Sequence, residues 1–246
     1  MKAEPVQSHF YPEEKYIGGF SPNDGTIDFY GRVRSLLSPD SVVLDIGAGR
    51  GGWFESDDCD YRKSVRTLKG HAKEVIGADV DPAVLENRST DRNLLINGGT
   101  IELPSESVDI VIADYVLEHV DDPGSFAQEI KRILKPGGYF CARTPHKWHY
   151  ISLLAKMVKN AHHSRIIRGV QPNRADLDIF PTKYKMNTVN SLVQNFEGFR
   201  NATFMFRGDP AYFWGRKAVF QALLLMHRVL PSIFVGTMFV FLRKED

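Results

Sequence analysis

Val42-Val43-Leu44-Asp45-Ile46-Gly47-Ala48-Gly49-Arg50-Gly51-Gly52 is the stretch whose reading decides the fold. A short apolar run, β-branched at its start, ends in a carboxylate, and a glycine-rich turn follows at once. So short a run suits a buried strand better than a helix. The glycines let the backbone turn sharply and approach a ligand with no Cβ in the way. Gly47, Gly49 and Gly51 give a G-x-G-x-G spacing, while Gly47, Gly49 and Gly52 equally give the G-x-G-x-x-G of dinucleotide binders. The turn alone does not choose between them.

Outward from that turn, strands alternate with helices. Glu74-Val75-Ile76-Gly77-Ala78-Asp79 reads as a second strand ending in a carboxylate, and Pro82 suits the first turn of a helix over 83–87. A weaker third strand is predicted over 93–96. Val108-Asp109-Ile110-Val111-Ile112-Ala113-Asp114 is a fourth, again with an acid at its C-terminal end. Asp122-Pro123 opens a helix with Phe126, Ile130, Ile133 and Leu134 on its apolar face, and Lys135-Pro136-Gly137-Gly138 stops it. A fifth strand over 139–144 runs into Pro145-His146-Lys147-Trp148-His149. This alternation predicts an α/β fold, a doubly wound and mostly parallel sheet. Such sheets bind ligands outside the C-terminal ends of their strands. Asp45, Gly47 to Gly51, Asp79, Asp114 and His146 would then share one rim.

The flanks dress that core. Residues 1–25 are rich in Pro, Gly and aromatics, which argues for an ordered cap, since disordered segments are aromatic-poor. Helices are expected over 27–37, 61–69, 151–158, 187–196 and 211–230, with strands over 200–207 and 236–243. No internal repeat or low-complexity linker divides the 246 residues. One domain is expected: a cap and helix over 1–38, a cofactor-binding core over 39–145, and substrate-side helices with the last strand pair over 146–246.

Composition excludes several classes. A net charge of +1 gives no overall pull toward nucleic acid, and none is expected as a partner. Cys59 and Cys141 are too few for a disulfide framework, and Cys141 reads as an inert core thiol. The acids around Cys59 read as a solvated loop, and no metal is expected. The chain shows no signal-peptide core and no apolar run of membrane-spanning length, which predicts a cytoplasmic protein. From Ile130 to Ala175 there is no acid but ten Lys and Arg. A basic amphipathic stretch of this kind, here 147–174, can lie on an anionic membrane or grip an acidic substrate; a plain solvated face is the simpler reading.

Downstream of Asp79 the pattern becomes specific. Glu102-Leu103-Pro104-Ser105-Glu106-Ser107-Val108-Asp109, Leu117-Glu118-His119-Val120 and Ile133-Leu134-Lys135-Pro136-Gly137-Gly138 follow the glycine turn in order. In these four motifs, residues 40–145 resemble the class I S-adenosylmethionine-dependent methyltransferases of type 11. The resemblance implies a Rossmann-like seven-stranded sheet whose last two strands are antiparallel. It also implies S-adenosyl-L-methionine as cofactor and S-adenosyl-L-homocysteine as product. Carried over by position, Asp45, Gly47, Ala48, Gly49 and Gly51 would surround the methionine part. Asp79 and Val80 would meet the ribose side, Gly99 and Thr100 the adenine, and Asp114 the sulfonium. Many relatives place an acid where this chain has Gly99, so the adenine contact here falls to backbone groups or Asn97. Tyr16-Ile17-Gly18-Gly19-Phe20, Asp24-Gly25-Thr26, Thr144-Pro145-His146 and Phe180-Pro181-Thr182 resemble a bacterial subgroup of biosynthetic clusters, which implies a small-molecule or glycan-type acceptor.

Methyl transfer needs nucleophile, carbon and sulfur in line, and positioning supplies much of the rate. A hydroxyl acceptor also needs a base near its proton. Asp114 and His146, at adjacent strand ends, are the expected catalytic pair. Tyr16, Asp24, Tyr30, His146 and Trp148 are the expected acceptor contacts, and His119 reads as a packing residue. Two rival readings stand beside the methyltransferase. One is an NAD-dependent oxidoreductase, disfavoured by the motifs after Asp79. The other is a catalytically silent protein that binds S-adenosylmethionine or a membrane surface. Oligomeric state is not legible in the sequence.

Overall fold

The computed structural model describes residues 10–157, 181–210 and 216–245. Its strands are β1 Val42–Ile46, β2 Glu74–Asp79, β3 Arg92–Leu95, β4 Val108–Asp114, β5 Leu134–Pro145, β6 Phe199–Asn201, β7 Phe204–Phe206 and β8 Thr237–Lys244. They form one sheet in the order β3-β2-β1-β4-β5-β8-β6, with β7 also on β8. Strands β1 to β5 pair in parallel, and β8 runs antiparallel to β5. The described helices are α1 Gly25–Ser35, α2 Trp53–Ser56, α3 Asp60–Arg66, α4 Pro123–Ile133, α5 Tyr150–Met157, α6 Val189–Asn195, α7 Lys217–Val229 and α8 Ser232–Val235. The expected mostly parallel, doubly wound sheet is therefore the observed one.

Alternation along the strands splits the core into two layers. Leu44, Ile46, Val111, Ala113, Phe140 and Ala142 turn to the side of α4, whose Ile130 and Ile133 are fully buried there. Val43, Ile110, Ile112, Cys141 and Phe239 turn to the other side, against Phe29, Tyr30 and Val33 of α1. Each fully buried Phe or Ile contributes roughly 1.5–3 kcal/mol relative to exposure. The same alternation has a consequence at the strand ends. Asp45, Asp114 and Arg143 each lie two residues beyond a residue of the α1 layer, so their side chains share that face.

Three details differ from the sequence reading. The strand expected over 200–207 is interrupted, because the Thr203 N–H turns to Asn201 Oδ1 at 2.8 Å instead of to β8. Phe199, Asn201, Phe204 and Phe206 nevertheless pair with Lys244, Leu242, Phe239 and Thr237 in one unbroken register. The helix expected over 83–87 is a 3-10 turn, Pro82–Glu86, capped by Asp81, whose Oδ1 accepts from Ala83 N at 2.8 Å. Strand β5 begins earlier than expected: Leu134 pairs with Val108, and Lys135-Pro136-Gly137-Gly138 forms an irregularity before Tyr139 meets Ile110.

The described part of the N-terminal cap is tied down at both ends. Phe10 packs on Phe220 with centroids 4.9 Å apart, Tyr11 Oη donates to Asp209 Oδ1 at 3.2 Å, and Phe20 stacks on Tyr61 at 5.2 Å. Most of the basic stretch 147–174 lies outside the described residues, as does the start of the helix expected over 211–230. No described helix is long and apolar enough to cross a membrane.

Candidate functional site

The glycine turn is pinned from two sides. Gly47 N and Ala48 N donate to Ala78 O at 2.7 and 3.3 Å, which fastens the turn to the end of β2. Gly49 N donates to Asp79 Oδ2 at 2.9 Å, and Asp81 N donates to Asp79 Oδ1 at 2.9 Å. From below, Asn87 Nδ2 donates to Ala48 O at 3.1 Å and to Gly49 O at 3.0 Å. Asn87 Oδ1 accepts from Ser89 N and Ser89 Oγ at 2.9 and 2.7 Å, so this buried amide is fully used. Asn87 was not visible as a site residue; nothing in its local sequence signals a contact across 38 residues to the turn.

The structure separates the two glycine spacings. Gly51 is buried at φ +67°, and an added Cβ would overlap the Asn87 side chain. Gly52 sits at φ −55°, where an added Cβ would meet only Arg50 Cγ at 3.9 Å, an ordinary contact. The turn needs glycine at 51 and not at 52, which is the G-x-G-x-G spacing.

Beside the turn, the carboxylates occupy distinct environments. The Asp45 carboxyl is pushed up to about 7 by burial, with Asp114 and Asp79 adding to the rise and Arg66 opposing it. Asp114, 9% exposed, is gripped by Arg143: Nε meets Oδ1, and Nη2 meets Oδ2 at 2.9 Å. Arg66 Nη2 at 3.3 Å and Tyr30 Oη at 3.2 Å also donate to Oδ2. Burial alone would raise the Asp114 carboxyl; the Arg143 charge and hydrogen bonds outweigh it and hold the group below the usual carboxylate range. Arg143 reaches on to Thr26 Oγ1 at 2.9 Å, and Arg66 lies 4.3 Å from the Trp53 ring centroid. Arg143 announced itself only as a cation inside the apolar run 139–144, and Arg66 gave no signal.

Several expected site residues have other duties. Tyr30 is buried under α1 and spends its hydroxyl on Asp114, so the expected acceptor contact is corrected to a core role. Asp24 is the cap of α1, accepting from Thr26 N and Ile27 N at 2.9 and 3.0 Å, and it pairs with Arg62 at 2.9 Å. His146 is buried; its Nδ1 accepts from Trp148 N at 3.2 Å, and its ring also bonds the Ile233 backbone. Burial lowers its pKa, so the ring is a neutral clamp on the 146–148 turn. His149 behaves alike, pushed down to about 4 chiefly by burial, with Nδ1 accepting from Ile151 N at 3.2 Å. His119 Nδ1 lies 3.2 Å from Pro181 O.

Other side chains of the expected site and its neighbours are exposed. Val80 is 58% exposed, Tyr115 45%, Trp148 48% and Tyr16 77%. Tyr115 holds φ +59°, rare for a bulky residue, with its N–H on Arg143 O at 2.9 Å and its ring 5.1 Å from the Arg143 guanidinium. Gly98 and Gly99 form a two-residue turn closed by the Asn97–Thr100 bridge. Glu118, missed in the sequence, is buried behind the rim: Thr144 Oγ1 donates to its Oε2 at 2.7 Å, and Asn187 Nδ2 donates to Thr144 Oγ1 at 2.6 Å. Two of the motif stretches, those of Glu118 and Thr144, therefore meet at one place, joined by Asn187.

The same segment recurs in known proteins. Residues 44–142 match the family described as Methyltransferase domain. A Mycolicibacterium smegmatis protein named "Probable S-adenosylmethionine-dependent methyltransferase" is 38% identical over 109 residues, covering 43% of this chain and 38% of that protein. The Caulobacter vibrioides ubiquinone biosynthesis O-methyltransferase is 30% identical over 146 residues, covering 55% of this chain and 51% of that one. The chain thus spans about half or less of the length of these curated relatives. A solved structure of a SAM dependent methyltransferase from Archaeoglobus fulgidus shares the fold, with a TM-score of 0.55 over 96% of this chain and 99% of that chain at 17% identity. Residues 44–142 belong to the methyltransferase-domain family, within the class I S-adenosylmethionine-dependent methyltransferases. The family's cofactor is S-adenosylmethionine, and the NAD-dependent reading is set aside with the G-x-G-x-x-G spacing.

Proposed function

We propose that this chain transfers a methyl group from S-adenosylmethionine to a hydroxyl oxygen of a small-molecule or glycan-type acceptor. One observation carries the reading. Asp45 and Asp79 flank the glycine turn, neither forms an ion pair among the described residues, and the one cation acting on Asp45, Arg66, is paired with Asp114. A ligand with an ammonium group and vicinal hydroxyls satisfies both. A pyrophosphate would instead face these carboxyls while Arg66 and Arg143 are committed to Asp114.

Bound there, S-adenosylmethionine supplies an electrophilic methyl on a sulfonium sulfur. Asp45 takes its amino group. Each Asp79 oxygen has spent one lone pair on a backbone N–H and keeps another for a ribose hydroxyl. Exposed Val80 and the backbone of the Gly98-Gly99 turn border the adenine. The exposed side chains of Tyr115, Trp148 and Tyr16 are the acceptor contacts in this reading. Asp114, held below the carboxylate range, is a weak base, so the rate rests mainly on alignment. The relative named as an O-methyltransferase supports oxygen as the methylated atom.

Calorimetric titration with S-adenosylhomocysteine and with NAD tests the reading. The homocysteine nucleoside binds and NAD does not; Asp79→Ala weakens that binding by roughly a hundredfold, the worth of two hydrogen bonds to a charged group. NAD binding without nucleoside binding overturns the proposal.

The same titration carries a pH signature. A protonated Asp45 has to give up its proton before it can hold an ammonium group. Affinity therefore rises as pH climbs through about 7 and levels off above it. Between pH 6 and 8 the gain is up to about tenfold, with proton release seen as a buffer-dependent heat. A flat profile would remove Asp45 from the amino group.

A further inference from the structure

Helix α7 and the short α8 leave an apolar face on the outside of the molecule. Leu225 and Val229, one turn apart, are 63% and 72% exposed, and Leu230 and Ile233 continue the face at 36% and 39%. Surface helices ordinarily bury such a stripe. Its C-terminal end is basic: Arg228 is exposed between Leu225 and Val229 in sequence, and Arg207 crosses the helix end, donating to Leu230 O and Ser232 Oγ, both at 2.9 Å. From Pro210 to Leu242 the sequence holds no Asp or Glu. Asp209, the nearest acid in sequence, accepts from Tyr11 and Asn23 at 3.2 and 3.3 Å and acts on His227, on the buried side of α7.

We propose that this face rests on an anionic lipid bilayer surface. An apolar stripe with cations at its end and no acid on its own helices matches the interface of such a membrane, where the apolar side chains enter and the cations meet headgroups. A second copy of the chain fits less well, because a two-fold contact would set the same basic end against itself. The face also borders the rim of the sheet: the backbone of α8 bonds the His146 ring through Ile233 and the His149 ring through Val235, on either side of half-exposed Trp148. The surface stands independently of the methyl-transfer reading.

Co-sedimentation of the full chain with vesicles tests it, using phosphatidylcholine alone and phosphatidylcholine with phosphatidylglycerol. The wild type partitions onto the anionic vesicles, roughly tenfold more than onto neutral ones. Arg228→Glu and the double variant Leu225→Glu/Val229→Glu each lower that partition by about tenfold or more. Both variants keep the wild-type melting temperature and S-adenosylhomocysteine affinity, which separates loss of the surface from loss of the fold or of the cofactor site. Equal partition onto both vesicles, no partition onto either, or variants that bind like the wild type overturn the proposal. So does light scattering that shows a wild-type dimer dissociated by the double variant, which would assign the face to self-association.

Discussion

Replacing Arg143 with methionine lowers the folding free energy by about 3–5 kcal/mol, the cost of leaving one member of a buried ion pair without its partner. For a chain of this size the melting temperature falls by roughly 10 °C. Asp114 is 9% exposed and Arg143 7%, so neither can turn to water when the other is removed. Arg66, at 3.3 Å, is the only cation left on Asp114 among the described residues. Methionine keeps most of the arginine stem, so lost packing adds little. The double variant Arg143→Met/Asp114→Leu recovers most of the loss, because it removes both charges and not one. The pair also sets a pH response. Asp114 is held below its usual range, so its contribution is present at neutral pH and is lost as pH falls through its lowered native value. Thermal melts of the three proteins at neutral and acid pH read all of this. A single variant that melts with the wild type would mean that the pair contributes nothing.

Gly51→Ala abolishes measurable cofactor binding, an expected loss of at least about a hundredfold, while the chain stays folded. The local cost has two parts. A non-glycine residue at φ +67° costs roughly 1–2 kcal/mol, and the new methyl displaces Asn87. Displacing Asn87 frees the Ala48 and Gly49 carbonyls that it holds at 3.1 and 3.0 Å, so the turn loses its shape where it meets the ligand. Gly52→Ala is the matched control. Its backbone is helical and the space is open, so binding stays within about threefold of wild type. Calorimetry with S-adenosylhomocysteine distinguishes the two. If Gly52→Ala abolished binding and Gly51→Ala did not, the turn would be of the other spacing.

The sequence by itself determined the strands, their order of acids and the rim. Val42–Ile46, Glu74–Asp79 and Val108–Asp114 are short apolar runs that only strands accommodate, and each carries its acid at or next to its C-terminal end. Because parallel strands present those ends together, Asp45, Asp79 and Asp114 had to meet on one side of the sheet. The fifth strand and the final strand followed from the same periodicity, while the antiparallel direction of the final strand was implied only by the family resemblance. Partnerships were a different matter. Asp114 and Arg143 lie side by side only because β4 and β5 pair in a register that matches residue 114 with residue 143. A shift of one residue would have turned Arg143 to the opposite face. Asn87 meets the glycine turn only after a 3-10 turn folds back, and the His146 ring is occupied only because α8 returns to the end of β5. Local sequence specifies which side of a strand a carboxylate faces, since that depends on a period of two along one chain. What lies against the carboxylate, a cation, an amide or a ligand, depends on the register between segments far apart in sequence, and only the packed sheet decides that.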